Sequence, residues 1–149
     1  MNDLNKKEYP SVQEMSDDQR IGIVKDIFAS VTDKYDFLNR FLSGRRDVAW
    51  RKRAVQEMNF FNTNRFLDVA TGTGDLALDC ANTYSDVIVT GVDFVHEMVD
   101  KGIEKVSNQH LTDRVELKWG DATNIEFDDD SFDVTAIAFG IRNIPDKDK

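Results

Sequence analysis

The chain has 149 residues, a formal net charge of -9, 40% hydrophobic residues and 32% charged residues. These values are typical of one globular domain with its own core, not of a disordered chain. The acidic balance argues against a nucleic-acid partner. A single cysteine, Cys80, excludes an internal disulfide and favours a reducing compartment. With a polar N-terminus and no apolar run of transmembrane length, the sequence predicts a cytoplasmic location.

The N-terminal part of the chain predicts helices. Residues 1–16 have little apolar periodicity and are expected to form a mobile arm. From residue 17 the pattern becomes helical, a second short helix is expected over residues 35–42, and Asp47 is expected to cap a third helix that buries Trp50. We therefore assign residues 17–62 to an N-terminal helical cover.

From residue 65 the period changes, and strands alternate with helices. Strands are predicted over residues 65–70, 87–92, 114–118 and 132–139, with helices over residues 75–83 and 96–108. This alternation predicts an α/β fold with a Rossmann-like parallel sheet, and right-handed crossovers are expected to place helices on both faces. The fourth strand would leave an apolar edge. The chain is therefore expected to be a fragment truncated after that strand, with a tendency to form a homo-oligomer.

A glycine loop follows the first predicted strand. Residues 72–77 fit the pattern G-x-G-x-x-G/A, in which Gly72 allows the tight turn and Gly74 lets the backbone approach a ligand. Asp93 ends the second predicted strand, where a carboxylate can accept both hydroxyls of a ribose. An ordinary strand–helix turn is the alternative for the loop alone. Together the two features predict a nucleoside site, and Phe94 is included among its residues.

Carboxylates flank this loop. Asp68 and Asp75 stand where a phosphate-binding loop would avoid negative charge. The acids therefore favour a cationic nucleoside ligand, and S-adenosyl-L-methionine carries a sulfonium and an ammonium but no phosphate. A NAD-binding oxidoreductase shares the loop and the acid at the end of the strand, but these acids would repel its pyrophosphate.

Two further stretches follow the third and fourth predicted strands. Asp121 can accept from an adenine amino group and Ala122 leaves space for the ring, although a helix cap or solvated turn is the alternative. Residues 139–143 place Arg142 and Asn143 where an open α/β sheet binds its ligands. A structural arginine paired with an acid is the alternative there. No histidine has partners at ligand spacing, so no metal site is expected.

These stretches, together with Lys-Tyr-Asp-Phe-Leu-Asn at residues 34–39, resemble the menaquinone/ubiquinone biosynthesis C-methyltransferases, a class I S-adenosylmethionine-dependent family. The resemblance runs from about residue 31 to 149, and family members are longer. It implies that residues 63–149 form the cofactor-binding half of the methyltransferase domain, with the C-terminal half absent. It also implies that S-adenosyl-L-methionine contacts Thr73, Asp93, Asp121 and Ala122. Val95 departs from the family, which usually has a serine at this helix start.

The resemblance further implies methyl transfer to a ring carbon of a prenylated quinol, with demethylmenaquinol giving menaquinol. Arg142 would stabilise a developing phenolate, and Tyr35 and Asn143 would orient the hydroxyl. A benzoquinol of the ubiquinone pathway is an alternative substrate, and an inactive binding fragment is an alternative function.

The segment 37–53 carries six bases and one acid among its apolar residues. A helical hairpin with a solvated basic face explains it as well as a surface that contacts anionic lipid at the inner face of the membrane.

Overall fold

The computed structural model describes residues 16–138, 140, 141 and 144. Two helices come first, and then strands alternate with two further helices. In chain order the elements are α1 Asp17–Leu42, α2 Arg46–Gln56, β1 Arg65–Val69, α3 Asp75–Thr83, β2 Ile88–Asp93, α4 His96–Asn108, β3 Val115–Trp119 and β4 Val134–Ile137. The helices α3 and α4 have the predicted bounds, and every strand bound lies within two residues of its prediction.

The four strands form one parallel sheet in the order β3-β2-β1-β4. Along its register Leu67 pairs with Thr90 of β2, and Asp68 pairs with Ala136 of β4. The central strands β1 and β2 are buried almost throughout, as expected of parallel strands covered on both faces. The predicted parallel α/β sheet is confirmed.

The prediction of helices on both faces is wrong for the described residues. Side chains of α3 and α4 share one hydrophobic cluster with Phe66 and Leu117 on the same face of the sheet. The strands β1, β2 and β3 are neighbours in chain order, so each crossover moves in the same direction across the sheet. Two right-handed crossovers in the same direction place α3 and α4 on one face. The opposite face is covered by a loop whose Phe127 and Phe132 pack on Leu67.

The two helices predicted before residue 43 are one continuous helix, α1. No glycine or proline interrupts residues 23–42, and the Thr32 hydroxyl donates back to the carbonyl of Phe28 at 2.8 Å. Ser16, assigned to the mobile arm, instead caps α1 in a capping box with Gln19. Residues 1–15 lie outside the described part of the chain.

The prediction for α2 is also wrong in two respects. The cap position is Arg45, which adopts a left-handed conformation, whereas Asp47 lies in the first turn. Trp50 is more than half exposed, and the buried residues of α2 are Asp47 and Val55. The face of α2 that meets the domain is therefore charged over its first turns, so an analysis of apolar periodicity assigns the wrong face to the interior.

Leu117 of β3 packs beneath the glycine loop. A Cβ placed on Gly74, Gly91 or Gly102 would lie 2.7, 2.5 or 2.5 Å from a methyl carbon of Leu117. These distances are too short for any other residue at the three positions unless Leu117 moves. The three glycines therefore fix how closely the loop, β2 and α4 approach one another.

Candidate functional site

A cleft lies at the carboxyl ends of the strands and has two chambers. The narrow chamber, of about 70 Å³, is lined by Asp93, Phe94 and Ala122 among others. The wide chamber, of about 430 Å³, is lined by residues that include Asp68 and Thr73. Both are bounded by Tyr35, Ala70, Gly72 and Ala138. An open α/β sheet binds ligands at this position.

The glycine loop separates the chambers and adopts the conformation that its sequence predicts. Gly72 and Gly74 have positive φ angles of 58° and 79°, and α3 begins immediately after Gly74. Ala70 also has a positive φ of 54°, which is uncommon for a residue with a side chain. The Thr71 amide donates to the carbonyl of Val92 at 3.0 Å, so the loop is tied to the end of β2.

Asp93 is buried at the end of β2 and supports the loop directly. Its Oδ2 accepts from the Gly72 amide at 2.8 Å, and its Oδ1 accepts from the Val95 amide at 2.9 Å. Burial raises the pKa of Asp93, although these amide hydrogen bonds act in the opposite direction. The Phe94 amide also acts on this carboxylate. The remaining lone pairs of Asp93 can receive hydroxyl hydrogen bonds from a ligand.

Asp68 lies beneath the loop and is fully buried. Its described partners are neutral donors, the Thr71 hydroxyl at 2.6 Å and the Ala77 amide. Burial raises the pKa of Asp68 to about 7, and the charges of Asp93 and Asp75 contribute to the increase. A carboxyl in this state gains stability when a cation approaches it.

Asp75 is engaged by cations from two helices. Lys105 of α4 makes a very short contact with its Oδ1, and Arg51 of α2 lies 3.3 Å from its Oδ2. The expectation that Asp75 repels a pyrophosphate is therefore weakened, because two cations offset its charge. Asp68 and Asp93 are the loop acids that face the chambers without a described cationic partner.

A charged cluster joins the cover helices to this loop. The Thr73 hydroxyl donates to Asp36 of α1 at 2.6 Å, and Lys105 donates to both of these residues at 2.9 and 3.1 Å. Arg51 also pairs with Asp47 at 2.8 Å and Asp79 at 2.9 Å. We call these six charged residues, Asp36, Asp47, Arg51, Asp75, Asp79 and Lys105, together with Thr73, the ionic cluster.

The structure places Phe94 and Ala122 in the narrow chamber with Asp93. Asp121 instead borders a neighbouring groove and accepts from the amide and hydroxyl of Thr123, both at 2.8 Å. This is the turn geometry of the alternative interpretation. Tyr35 crosses above the loop, since a Cβ on Gly72 would lie 4.0 Å from its Cε1. Arg142 and Asn143 lie outside the described residues.

Sequence reasoning missed three participants. Lys105 lies in no motif, and Arg51 lies only in the Trp-Arg pair at residues 50–51, which also fits the resemblance. Their partners are up to 69 residues away in the chain. Asp36 lies within the Lys-Tyr-Asp-Phe stretch that carried the resemblance, which is the one signal that could have found it. In the described part of the chain no group of His, Cys, Asp and Glu side chains is arranged to hold a metal.

The sheet and its strand-end cleft have the architecture of the S-adenosylmethionine-dependent methyltransferase fold. A methyltransferase structure from Methanococcus maripaludis, described as putative and S-adenosyl-L-methionine-dependent, superposes with a TM-score of 0.65 at 18% identity, over 76% of this chain and 51% of that chain. Identity this low concerns the fold alone.

The chain belongs to the ubiE/COQ5 methyltransferase family, whose profile matches residues 13–149. It is 45% identical to the ubiquinone/menaquinone biosynthesis C-methyltransferase UbiE of Geotalea daltonii, over 83% of this chain and 53% of the relative. It is 38% identical to the demethylmenaquinone methyltransferase of Staphylococcus saprophyticus, over 83% of this chain and 52% of that relative. The chain thus spans about half the length of the curated relatives it matches.

Proposed function

We propose that this chain binds S-adenosyl-L-methionine in the two chambers and forms the cofactor-binding part of a C-methyltransferase. The substrate is a prenylated quinol, with demethylmenaquinol converted to menaquinol. Family membership supports the reaction class. The observation that carries the proposal is Asp93, whose carboxylate accepts from the glycine loop through one oxygen and from the start of α4 through the other. Lone pairs remain on this carboxylate for a ribose.

The chambers suit different parts of the cofactor. Phe94 and Ala122 would flank the adenine in the narrow chamber, and Asp68 would stabilise the positive charge of the methionine part from beneath the loop. The Thr73 hydroxyl already bonds to Asp36 and Lys105, so Thr73 would contact the cofactor through its backbone. Asp121 would reach the adenine amino group only after leaving its bonds to Thr123.

Catalysis in this proposal rests mainly on alignment. When bound in the cleft, S-adenosyl-L-methionine would supply an electrophilic methyl group and leave as the neutral thioether S-adenosylhomocysteine. Loss of a quinol hydroxyl proton to solvent would make the ring carbon electron-rich, and the methylated carbon would then release its own proton to solvent. Tyr35 lies at the boundary of the chambers, where it can orient the quinol hydroxyl. Arg142 would stabilise the phenolate charge, and Asn143 would help to orient the quinol hydroxyl. The protein would act in the cytoplasm, at the inner face of the membrane.

Calorimetry on this chain tests the cofactor assignment. Asp93→Ala should weaken S-adenosyl-L-methionine binding by about 2 kcal/mol because two charge-assisted hydrogen bonds are lost. Asp129→Ala, which removes an exposed turn carboxylate, is the matched control and should bind as wild type. Wild-type affinity in Asp93→Ala would remove Asp93 from the site. Micromolar binding of NAD without binding of S-adenosyl-L-methionine would overturn the proposal in favour of an oxidoreductase.

Turnover tests the substrate, in a protein that carries this chain with the C-terminal half of its relatives. Demethylmenaquinol and the corresponding benzoquinol should be compared directly, and faster methylation of the benzoquinol would move the enzyme to the ubiquinone pathway. Arg142→Ala should lower kcat by about a hundredfold with cofactor affinity unchanged. Arg142→Lys should retain part of the activity because it keeps the charge. A structural arginine would instead lower the melting temperature and leave kcat intact.

A further inference from the structure

The hairpin formed by α1 and α2 exposes large apolar side chains at its tip. Leu42 is 79% exposed, Phe41 72%, Phe37 66% and Trp50 55%. Phe37 and Phe41 follow one another by a single helical turn, and their rings stack with centroids 6.0 Å apart. Contiguous apolar surface of this kind is unfavourable in water and marks an interaction site.

The charge beside these side chains has the opposite sign to that of the protein. Between residues 41 and 46 there are two bases, Arg45 and Arg46, and no acid, although the chain as a whole has a net charge of -9. Both arginines are exposed. The next residue, Asp47, is buried and accepts from Ser43 and Arg51. Its charge is therefore directed into the protein and does not offset the arginines.

We propose that this tip, defined as Phe37, Phe41, Leu42, Arg45, Arg46 and Trp50, docks on the surface of an anionic lipid bilayer. Aromatic and leucine side chains enter the boundary between headgroups and acyl chains, and arginines bind the phosphates above them. The nearest exposed acid on α1 is Asp33, one turn before Phe37 and away from the arginines. Apolar residues bordered by bases match a bilayer better than an uncharged protein groove.

The tip is continuous with the cleft. Leu42 and Trp50 line the wide chamber as well as the exposed surface, and Asp68 and Gly72 line that chamber from the sheet. The prenyl chain of a quinol that enters between Leu42 and Trp50 would therefore pass from the tip toward the glycine loop without crossing the sheet. This step rests on the proposed function, because a prenylated quinol resides in the bilayer on which the tip would dock.

Vesicle binding by this chain tests the proposal. Vesicles of phosphatidylcholine with about 30% phosphatidylglycerol should sediment the protein and shift the Trp50 emission to shorter wavelength, whereas pure phosphatidylcholine vesicles should do so weakly. The Trp50→Phe variant identifies the part of the shift that comes from Trp50. S-adenosylhomocysteine binding, measured by calorimetry on the same samples, reports on the cofactor site separately.

Two pairs of variants separate the apolar and charged contributions. Phe41→Ser should lower partitioning by about tenfold, whereas Phe61→Ser, which removes a side chain that is 76% exposed outside the tip, should leave it unchanged. Replacing both Arg45 and Arg46 with Glu should reduce binding to the anionic vesicles by more than about tenfold, and replacing both with Lys should preserve it.

An equal loss of vesicle binding in Phe61→Ser and Phe41→Ser would overturn the proposal. So would wild-type binding by the Glu double variant, or concentration-dependent dimerisation that Phe41→Ser abolishes while vesicles bind no protein. Failure of vesicle binding with S-adenosylhomocysteine binding intact would overturn the docking surface alone. Vesicle binding without nucleoside binding would overturn the proposed function and leave the docking surface standing.

Discussion

The two cover helices and the helices on the sheet are held by different forces. The nine residues of α3 include five buried side chains, all apolar or sulfur-bearing: Leu76, Ala77, Leu78, Cys80 and Ala81. The 26 residues of α1 include, among the side chains that the structure describes, one that is buried, Thr32. Since burial of apolar area is the main favourable term in folding, α3 is part of the core and α1 is an attachment to it.

Charged and polar side chains link both cover helices to the domain, although α2 also contributes Val55 to the hydrophobic core. The ionic cluster joins α1 and α2 to the start of α3 and to α4 through Lys105 and Arg51, whose side chains are 19% and 12% exposed. Such contacts depend on every partner being present and are weaker per residue than apolar burial. We therefore expect the cover to open at a lower free energy than that of global unfolding, while the sheet stays folded.

The largest effect should come from the core. Phe66 of β1 is fully buried against α3, and Phe66→Ala should lower the free energy of unfolding by about 4 kcal/mol through lost burial and a cavity. Urea denaturation followed by circular dichroism measures the change. Phe61→Ala is the control, and we expect less than about 0.5 kcal/mol because that side chain is exposed. Equal effects of the two substitutions would contradict the assignment of the core.

Arg51→Met should give the next largest effect and should confine it to the cover. The substitution leaves Asp47, Asp75 and Asp79 without their shared cation, a change worth about 3 kcal/mol for a partly buried group. Hydrogen exchange should show faster exchange in α1 and α2 with unchanged protection in β1 and β2. If protection falls uniformly, cover and sheet unfold as one unit and the comparison fails.

The same contrast explains what the sequence predicts well. The bounds of α3 and α4 were predicted correctly because their apolar period and the loops before them are local signals. Gly72 and Asp93 were brought together as expected because parallel strands end at one edge of the sheet. The buried face of α2 is misassigned because Asp47 is buried against Arg51, and Arg51 in turn pairs with Asp79 of α3. No local pattern shows that partners 28 residues away will neutralise a buried charge.

Asp68 makes the stability of the sheet depend on pH, and the expected change in unfolding free energy is smaller than that of Arg51→Met. Burial raises its pKa to about 7, so the folded protein holds a proton that the unfolded chain releases above its ordinary pKa near 4. Stability from this group is complete below about pH 4 and is lost as the pH rises through about 7. Between about pH 5 and about pH 8 the wild type should lose on the order of 2 kcal/mol of unfolding free energy.

Asp68→Asn isolates the contribution of Asp68 to the pH dependence of stability, because an amide does not titrate. Its unfolding free energy, measured by denaturation at the same pH values, should lack the decline of the wild type. A decline that persists in Asp68→Asn would assign the pH dependence to another group. The raised pKa also predicts that binding of a cationic ligand below about pH 7 releases a proton in the wild type and not in the variant.

The smallest effect should come from Lys105, and it separates attachment of the cover from folding most directly. Lys105 bonds to Asp36 on α1 and to Thr73 in the loop, and Tyr35, the neighbour of Asp36, lies over Gly72. Lys105→Met should therefore loosen Tyr35 from the site and weaken S-adenosylhomocysteine binding about fivefold, or ~1 kcal/mol. Lys101→Met, one turn earlier on α4, is the matched control because its partner Glu104 lies on the same helix.

Stopped-flow dissociation of the ligand, with the melting temperature of each variant, distinguishes a positioning role of Lys105 from a structural one. A positioning residue speeds release, and the melting temperature falls less than in Arg51→Met because Asp75 keeps Arg51 as a partner. Equal release rates in Lys105→Met and Lys101→Met would show that the cover does not hold the ligand.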